Sequence, residues 1–131
     1  KRIMEIEAHL NNPYVKLDKE NCILTIKGKS YPEHPSIFYT PIRKELEKCS
    51  DYMGSNDVTI NLGLEIMNSV SSKYIYDIVL TIYNLSKNLN INWYYENDDE
   101  DMKEESEIFK STFPNSNFNI ISVEDINDIS I

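Results

Sequence analysis

An α/β fold is what this sequence predicts: a single domain over residues 1–131, with a mixed sheet of about five strands covered by about three helices. Three stretches carry the prediction. Val58, Ile60, Leu62, Leu64 and Ile66 recur at every second position, with Asp57, Thr59, Asn61, Gly63 and Glu65 between them, as on a strand with one buried face. Ile75, Ile78, Val79, Ile82 and Leu85 recur at steps of three and four, as the core face of an amphipathic helix requires. Ile91-Asn92-Trp93-Tyr94-Tyr95-Glu96 then returns to strand character, with aromatics that suit a pleated surface. Strand, helix, strand implies a right-handed parallel crossover.

Length and charge bound the function. A chain of 131 residues is long enough to bury one ordinary core. Its net charge of −9 and pI near 4.6 offer no basic field to nucleic acid or to an anionic membrane, so protein surfaces are the expected partners. No apolar run approaches the ~20 residues of a membrane span, and the first residues lack the layout of a signal peptide. A cytoplasmic location is expected. Cys22 and Cys49 lie far apart without a CxxC or Cys/His grouping, which favours two free, partly buried thiols over a disulfide and supports no zinc site.

In chain order, residues 1–12 hold Ile3, Ile6 and Leu10 at roughly helical spacing, too few apolar positions for more than a weak arm. Tyr14 to Asp18 and Cys22 to Lys27 read as a hairpin around Lys19-Glu20-Asn21. Gly28 to Pro35, with one glycine and two prolines, reads as an ordered loop. From Ser36 to about Ser50, Phe38, Ile42, Leu46 and Cys49 share a helical face; Pro41 either kinks this helix or stands at its first position behind Thr40 as N-cap. Asp51 to Asn56 is a turn into the central strand, and the following helix ends near Asn88. Asp98, Asp99, Glu100 and Asp101 open the third helix, whose core face is Met102, Phe109 and Phe113. Pro114 to Asn117 ends it, Phe118 to Val123 is a last strand, and the acidic residues 124–131 read as a frayed tail. There is no internal repeat and no linker.

Chemistry is scarce. Three isolated glycines cannot form a phosphate loop, and GxSxG and HExxH are missing. His9 and His34 stand alone, more as surface residues than as bases. The carboxylates of Asp98 to Asp101 lack the alternate spacing and central glycine of a calcium loop, so helix capping is favoured over a cation. No metal and no cofactor is expected. The change from period 2 to period 3.6 falls on Asn68-Ser69-Val70-Ser71-Ser72-Lys73. A phosphate on Ser69 would meet free amides at the positive end of a helix, with Lys73 one turn on. On residue physics alone the competing reading, that the serines merely cap the helix, is favoured, and it suits Ser71 or Ser72 best.

Five blocks in order, Pro13 to Asp18, Gly28 to Glu33, Phe38-Tyr39-Thr40-Pro41, Met67 to Lys73, and Trp93 to Glu96 with Asp98 to Met102, together resemble the SiaC family of bacterial signalling phosphoproteins. The resemblance implies a fold similar to STAS domains, the anti-sigma-factor antagonists. It also implies a non-enzymatic partner switch: a Ser/Thr kinase phosphorylates one hydroxyl, a PP2C-type phosphatase reverses this, and the unphosphorylated form binds and activates an effector, in the family's namesake system a GGDEF diguanylate cyclase. The family's phosphoacceptor, the Thr or Ser directly after Asn, falls on Ser69, with Ser71 and Ser72 as alternatives. Val70 stands where the family usually has another hydroxyl, and Glu105-Ser106-Glu107 where it commonly has Gly-Glu-Asp. The expected partner surface is Asn68, Ser69 and Lys73, flanked by Ser30, Tyr31 and Pro32 and by Trp93, Tyr95 and Asp99. Two other readings stay open: the same switch acting on an anti-sigma factor, and a small hydrolase using Ser69 with His34 as base or the acidic run as a metal site.

Overall fold

The computed structural model describes residues 2–131, and its strands form one six-stranded sheet in sequence order. Strands β1 (Ile3–Ile6), β2 (Tyr14–Asp18) and β3 (Ile23–Ser30) pair in order, each antiparallel to its neighbour. Strands β4 (Asp57–Met67), β5 (Asn88–Glu96) and β6 (Asn117–Val123) extend the sheet, each parallel to its predecessor, beginning with β4 on β3. Helical crossovers join the parallel neighbours: α1 (Pro35–Lys48) with the short α2 (Ser50–Ser55), then α3 (Ser69–Leu85), then α4 (Glu100–Thr112).

Side-chain alternation decides which face the helices cover. Leu62 and Trp93 stand opposite each other in the β4–β5 register, and with Leu24, Ile26, Ile60 and Ile91 they form the fully buried face. Helices α1, α3 and α4 bring Ile42, Leu46, Ile75, Ile78, Val79, Ile82, Phe109 and Phe113 into the same core. Burial on this scale, at roughly 25 cal/mol per Å² of apolar surface, is the main force holding the layers together. The other face is polar, with Asn61, Asn92 and Asn119 joined across three strands by side-chain amide bonds of 3.0 and 3.1 Å.

The expected mixed sheet covered by helices is present, with six strands and four α-helices against about five and about three. Finer expectations are corrected. The supposed weak arm supplies β1, an edge strand whose Met4 and Ile6 are half-buried. The strand before the proline loop continues to Ser30, because Gly28, at φ +112°, absorbs a register shift that lets β3 stay paired with β4. Helix α1 begins at Pro35 and runs through Pro41, an exposed position. The residues read as a turn at 51–56 form most of α2, which buries Met53.

The tail is not frayed. Ile126, in a short 3₁₀ turn (Ile126–Asp128), is fully buried, and its N–H donates to the Glu96 carboxylate at 3.1 Å. Lys27 Nζ donates to the Ile129 carbonyl at 3.2 Å. Gly63 leaves room for this docking: a Cβ there would stand 3.3 Å from Ile129 Cδ1, tight enough to make it shift slightly, and 3.5 Å from Ile126 Cγ2.

Candidate functional site

The parallel strands end together, with Ser30 opposite Met67, and Asn68 turns the chain from β4 into α3 at that end of the sheet. Asn68 holds the junction three ways. Its N–H donates to the Ser30 carbonyl at 3.2 Å, its side-chain Oδ1 accepts from the Ser71 N–H at 2.9 Å, and its carbonyl accepts from the Ser72 N–H at 2.9 Å. Asn68 is therefore the N-cap, in place of Ser71 or Ser72, and Ser69 is the first residue of the helix rather than one step outside it. The exposed Ser69 hydroxyl stands where the first amides of α3 have no intrahelical acceptor, and Lys73 follows on the same face four residues on.

Beneath this surface lies a sealed knot of hydroxyls. Ser30 Oγ donates to Ser71 Oγ at 2.8 Å and shares a second hydrogen bond with the Tyr39 hydroxyl, so β3, α1 and α3 meet at one point. Ser30 and Ser71 are fully buried. Burial, which outweighs the two serine hydrogen bonds, pushes the Tyr39 phenol up to about 12 from an ordinary 10.0. The unfolded chain releases this proton near pH 10 and the folded chain holds it to about 12. The stability it contributes is complete below the lower value and is lost as pH rises through the window. We expect Tyr39→Phe to flatten that alkaline fall by about 3 kcal/mol in urea titrations; Tyr14, whose phenol is pushed up to about 12 by desolvation and then by Glu5, contributes to what remains.

Ser69 opens onto a cleft of about 410 Å³ between α3 and α4. Glu65, Asp99, Asp101 and Glu105 line it, so its field is negative. Ser72 Oγ donates to Glu105 Oε1 at 2.8 Å and ties the helices together across it. Asp99 caps α4 by accepting from the Met102 N–H at 3.1 Å.

The sequence-derived surface residues divide in two. Asn68, Ser69, Lys73 and Tyr31 are exposed and Asp99 is half-buried. Ser30, Pro32, Trp93 and Tyr95 are buried, so their side chains are not presented at the surface of the free protein. Ser71, kept as an alternative acceptor, is sealed inside; Ser72 is half-buried. His34 lines a different depression from Ser69, which separates the suggested base from its nucleophile.

Sequence reasoning missed an apolar rim at the same end of the sheet. Leu10, 81 % exposed, sits at φ 50° on a tight turn closed by reciprocal His9–Asn12 backbone bonds of 3.1 and 2.8 Å. The Tyr31 N–H donates to the Asn11 carbonyl at 2.9 Å and fixes that turn beside the exit of β3. Leu10 and Ile37, the latter 72 % exposed, line a groove of about 380 Å³, and Val70 and Ile66 are also exposed near Ser69. A leucine within the polar run His9-Leu10-Asn11-Asn12 was the available signal.

Comparison with known proteins gives consistent findings. The profile described as SiaC family regulatory phosphoprotein matches residues 6–123. Comparison with curated proteins finds no match. Among solved structures, SiaC of Pseudomonas aeruginosa in complex with the diguanylate cyclase SiaD, which it activates, superposes with a TM-score of 0.83 at 21% identity, covering 92% of this chain and 99% of that one. The apo-SiaC structure from the same organism gives 0.72 at 20% identity, covering 92% and 97%. A further structure of that SiaC gives 0.78 at 18% identity, covering 92% and 98%.

Proposed function

The chain belongs to the SiaC family of regulatory phosphoproteins, and from that premise we propose that it is a non-enzymatic, single-domain partner switch acting in the cytoplasm. Its unphosphorylated form binds and activates a GGDEF diguanylate cyclase. A Ser/Thr kinase places a phosphate on Ser69 and blocks this binding, and a PP2C-type phosphatase restores it. Among the described residues no helix is long and apolar enough to cross a membrane.

The observation that carries the reading is the position of Ser69: exposed, at the first position of a capped helix, beside an acidic cleft and near an exposed apolar rim. The domain tolerates a phosphate there, because helix amides and Lys73 complement it. A docked partner does not. The modification adds about −1.5 to −2 charges to a surface that already carries Glu65, Asp99, Asp101 and Glu105, and burying them costs several kcal/mol. Asn68, Lys73, Tyr31 and Asp99 with Leu10, Ile37, Ile66 and Val70 form the proposed contact surface. The relative SiaC of P. aeruginosa, crystallised with the cyclase it activates, supports the choice of output.

The test is binding of a diguanylate cyclase from the same cell to purified wild type, Ser69→Ala and Ser69→Asp. We expect Ser69→Ala to bind and to take no phosphate from the kinase, and Ser69→Asp to bind about 100-fold more weakly. Equal affinities for wild type and Ser69→Asp would sink the switch. Capture of an anti-sigma factor in place of a cyclase would keep the switch and change its output.

A further inference from the structure

Far from Ser69, at the opposite end of β3, the two cysteines stand together. We propose that Cys22 and Cys49 form an intramolecular disulfide site, closed by a peroxide, that staples the start of β3 to the junction of α1 and α2. This is independent of the switch.

Both thiols are free, and both line one small void of about 10 Å³ beneath α1 and α2. That volume is at or below what a single water needs, and Cys22 and Cys49 are two of the residues around it. Cys22 is buried and Cys49 is half-buried, at the C-cap of α1 and the N-cap of α2, so an oxidant reaches Cys49 first. The Cys22 thiol is pushed up by burial and secondarily by the charge of Cys49. Lys19, bridged to Glu45 at 2.6 Å, puts a cation beside the same corner, and Cys49 adds to what holds that ammonium charged.

The backbone adds a further argument. Cys22 sits in the left-handed region at φ 55°, the conformation that glycine or asparagine adopts with least strain. Asn21 is one residue away, yet a cysteine holds the strained position and its side chain lines the void.

The chemistry balances with a peroxide as the oxidant. The Cys49 sulfur attacks one peroxide oxygen, the O–O bond breaks, and Cys49 becomes a sulfenic acid with release of one water. The Cys22 sulfur then attacks the Cys49 sulfur, the S–S bond forms, the S–O bond breaks, and the departing hydroxide takes the Cys22 proton as a second water. Two thiols and one hydrogen peroxide give one disulfide and two waters.

The experiment treats the intact, reduced protein with a small excess of hydrogen peroxide and reads the mass, the alkylatable thiols and the non-reduced peptide map. The expected result is loss of two hydrogens, loss of both alkylation sites, and one peptide linking Cys22 to Cys49 that a thiol reductant splits. The oxidised form should melt on the order of 10 °C higher, because the link closes a loop in the unfolded chain. Cys49→Ser should form no link. Sulfinic acid at Cys49 with Cys22 still alkylatable, a dimer joined through Cys49, or a midpoint that does not rise would each overturn the proposal.

Discussion

Ser71→Asp is expected to unfold the protein at urea concentrations where Ser69→Asp remains fully native, although the two serines lie two residues apart on one helix. Ser71 is fully buried, its Oγ accepts from Ser30, and Ser30 in turn bonds Tyr39. A carboxylate there is a desolvated ion in a space sized for a hydroxyl. Two hydroxyl donors recover only part of its hydration, leaving a cost of about 4 kcal/mol or more, close to the whole stability of a marginal domain. At Ser69 the same substitution puts an anion in water at a helix N-terminus, worth about 0.3–1 kcal/mol, against repulsion from the carboxylates across the cleft. The net change there should stay within about 1 kcal/mol. Far-UV dichroism of both variants in urea measures the difference, and a Ser71→Asp protein as stable as wild type would mean that the hydroxyl knot is open to solvent. The result bears on the switch directly. Under the proposed switch, a kinase acting on the folded chain would find Ser69 presented, Ser72 occupied by Glu105, and Ser71 out of reach.

What was legible in the sequence follows from how locally each signal is written. The period-2 run lies on the central strand and is buried as read from Val58 to Leu64, whereas Ile66, expected on the same face, is exposed beyond the register shift at Gly28. Strand β1 is only four residues long, and over so short a window Ile3 and Ile6 suggest a helical step while Met4 and Ile6 set the real alternation. Helix α2 has six residues and a glycine, too little to nucleate on its own, and exists because Met53 has a core to enter. The docking of Ile126 was invisible because its partners, Gly63 on β4 and the Glu96 carboxylate at the end of β5, are distant in sequence. At the site, asparagine and serine rank alike as N-caps, so the run Asn68-Ser69-Val70-Ser71-Ser72 could not say which residue caps. Geometry decides, since only Asn68 reaches the Ser71 amide. Trp93 is the instructive case: Leu89, Ile91, Trp93 and Tyr95 alternate as one buried face, and that period points to a core role where the resemblance cast Trp93 and Tyr95 as contacts.

Trp93→Ala is therefore expected to destabilise the fold by about 3–5 kcal/mol, and Trp93→Phe by about 1–2 kcal/mol or less. The indole is fully buried opposite Leu62, with its ring 4.8 Å from Phe109 edge-on and 6.4 Å from Phe118. Phe109 leads on to Tyr76 and Phe113, so the tryptophan is where α4 is seated on the sheet. Alanine leaves a cavity that this aromatic cluster cannot close without moving α4. Phenylalanine keeps most of the apolar contact and also removes the indole N–H, a buried donor with no acceptor in the fold. The midpoints in urea, read by dichroism because the variants lack the chain's one tryptophan, separate the two substitutions. Binding then separates two roles. If the ring is purely a seat for α4, Trp93→Phe binds the partner as wild type does. Trp93→Ala weakens binding only through Asp99 and Glu105, which α4 carries to the cleft beside Ser69. A Trp93→Phe protein of near-native stability that no longer binds would show instead that the partner draws the ring out of the core, and that docking is coupled to opening of the α4 layer.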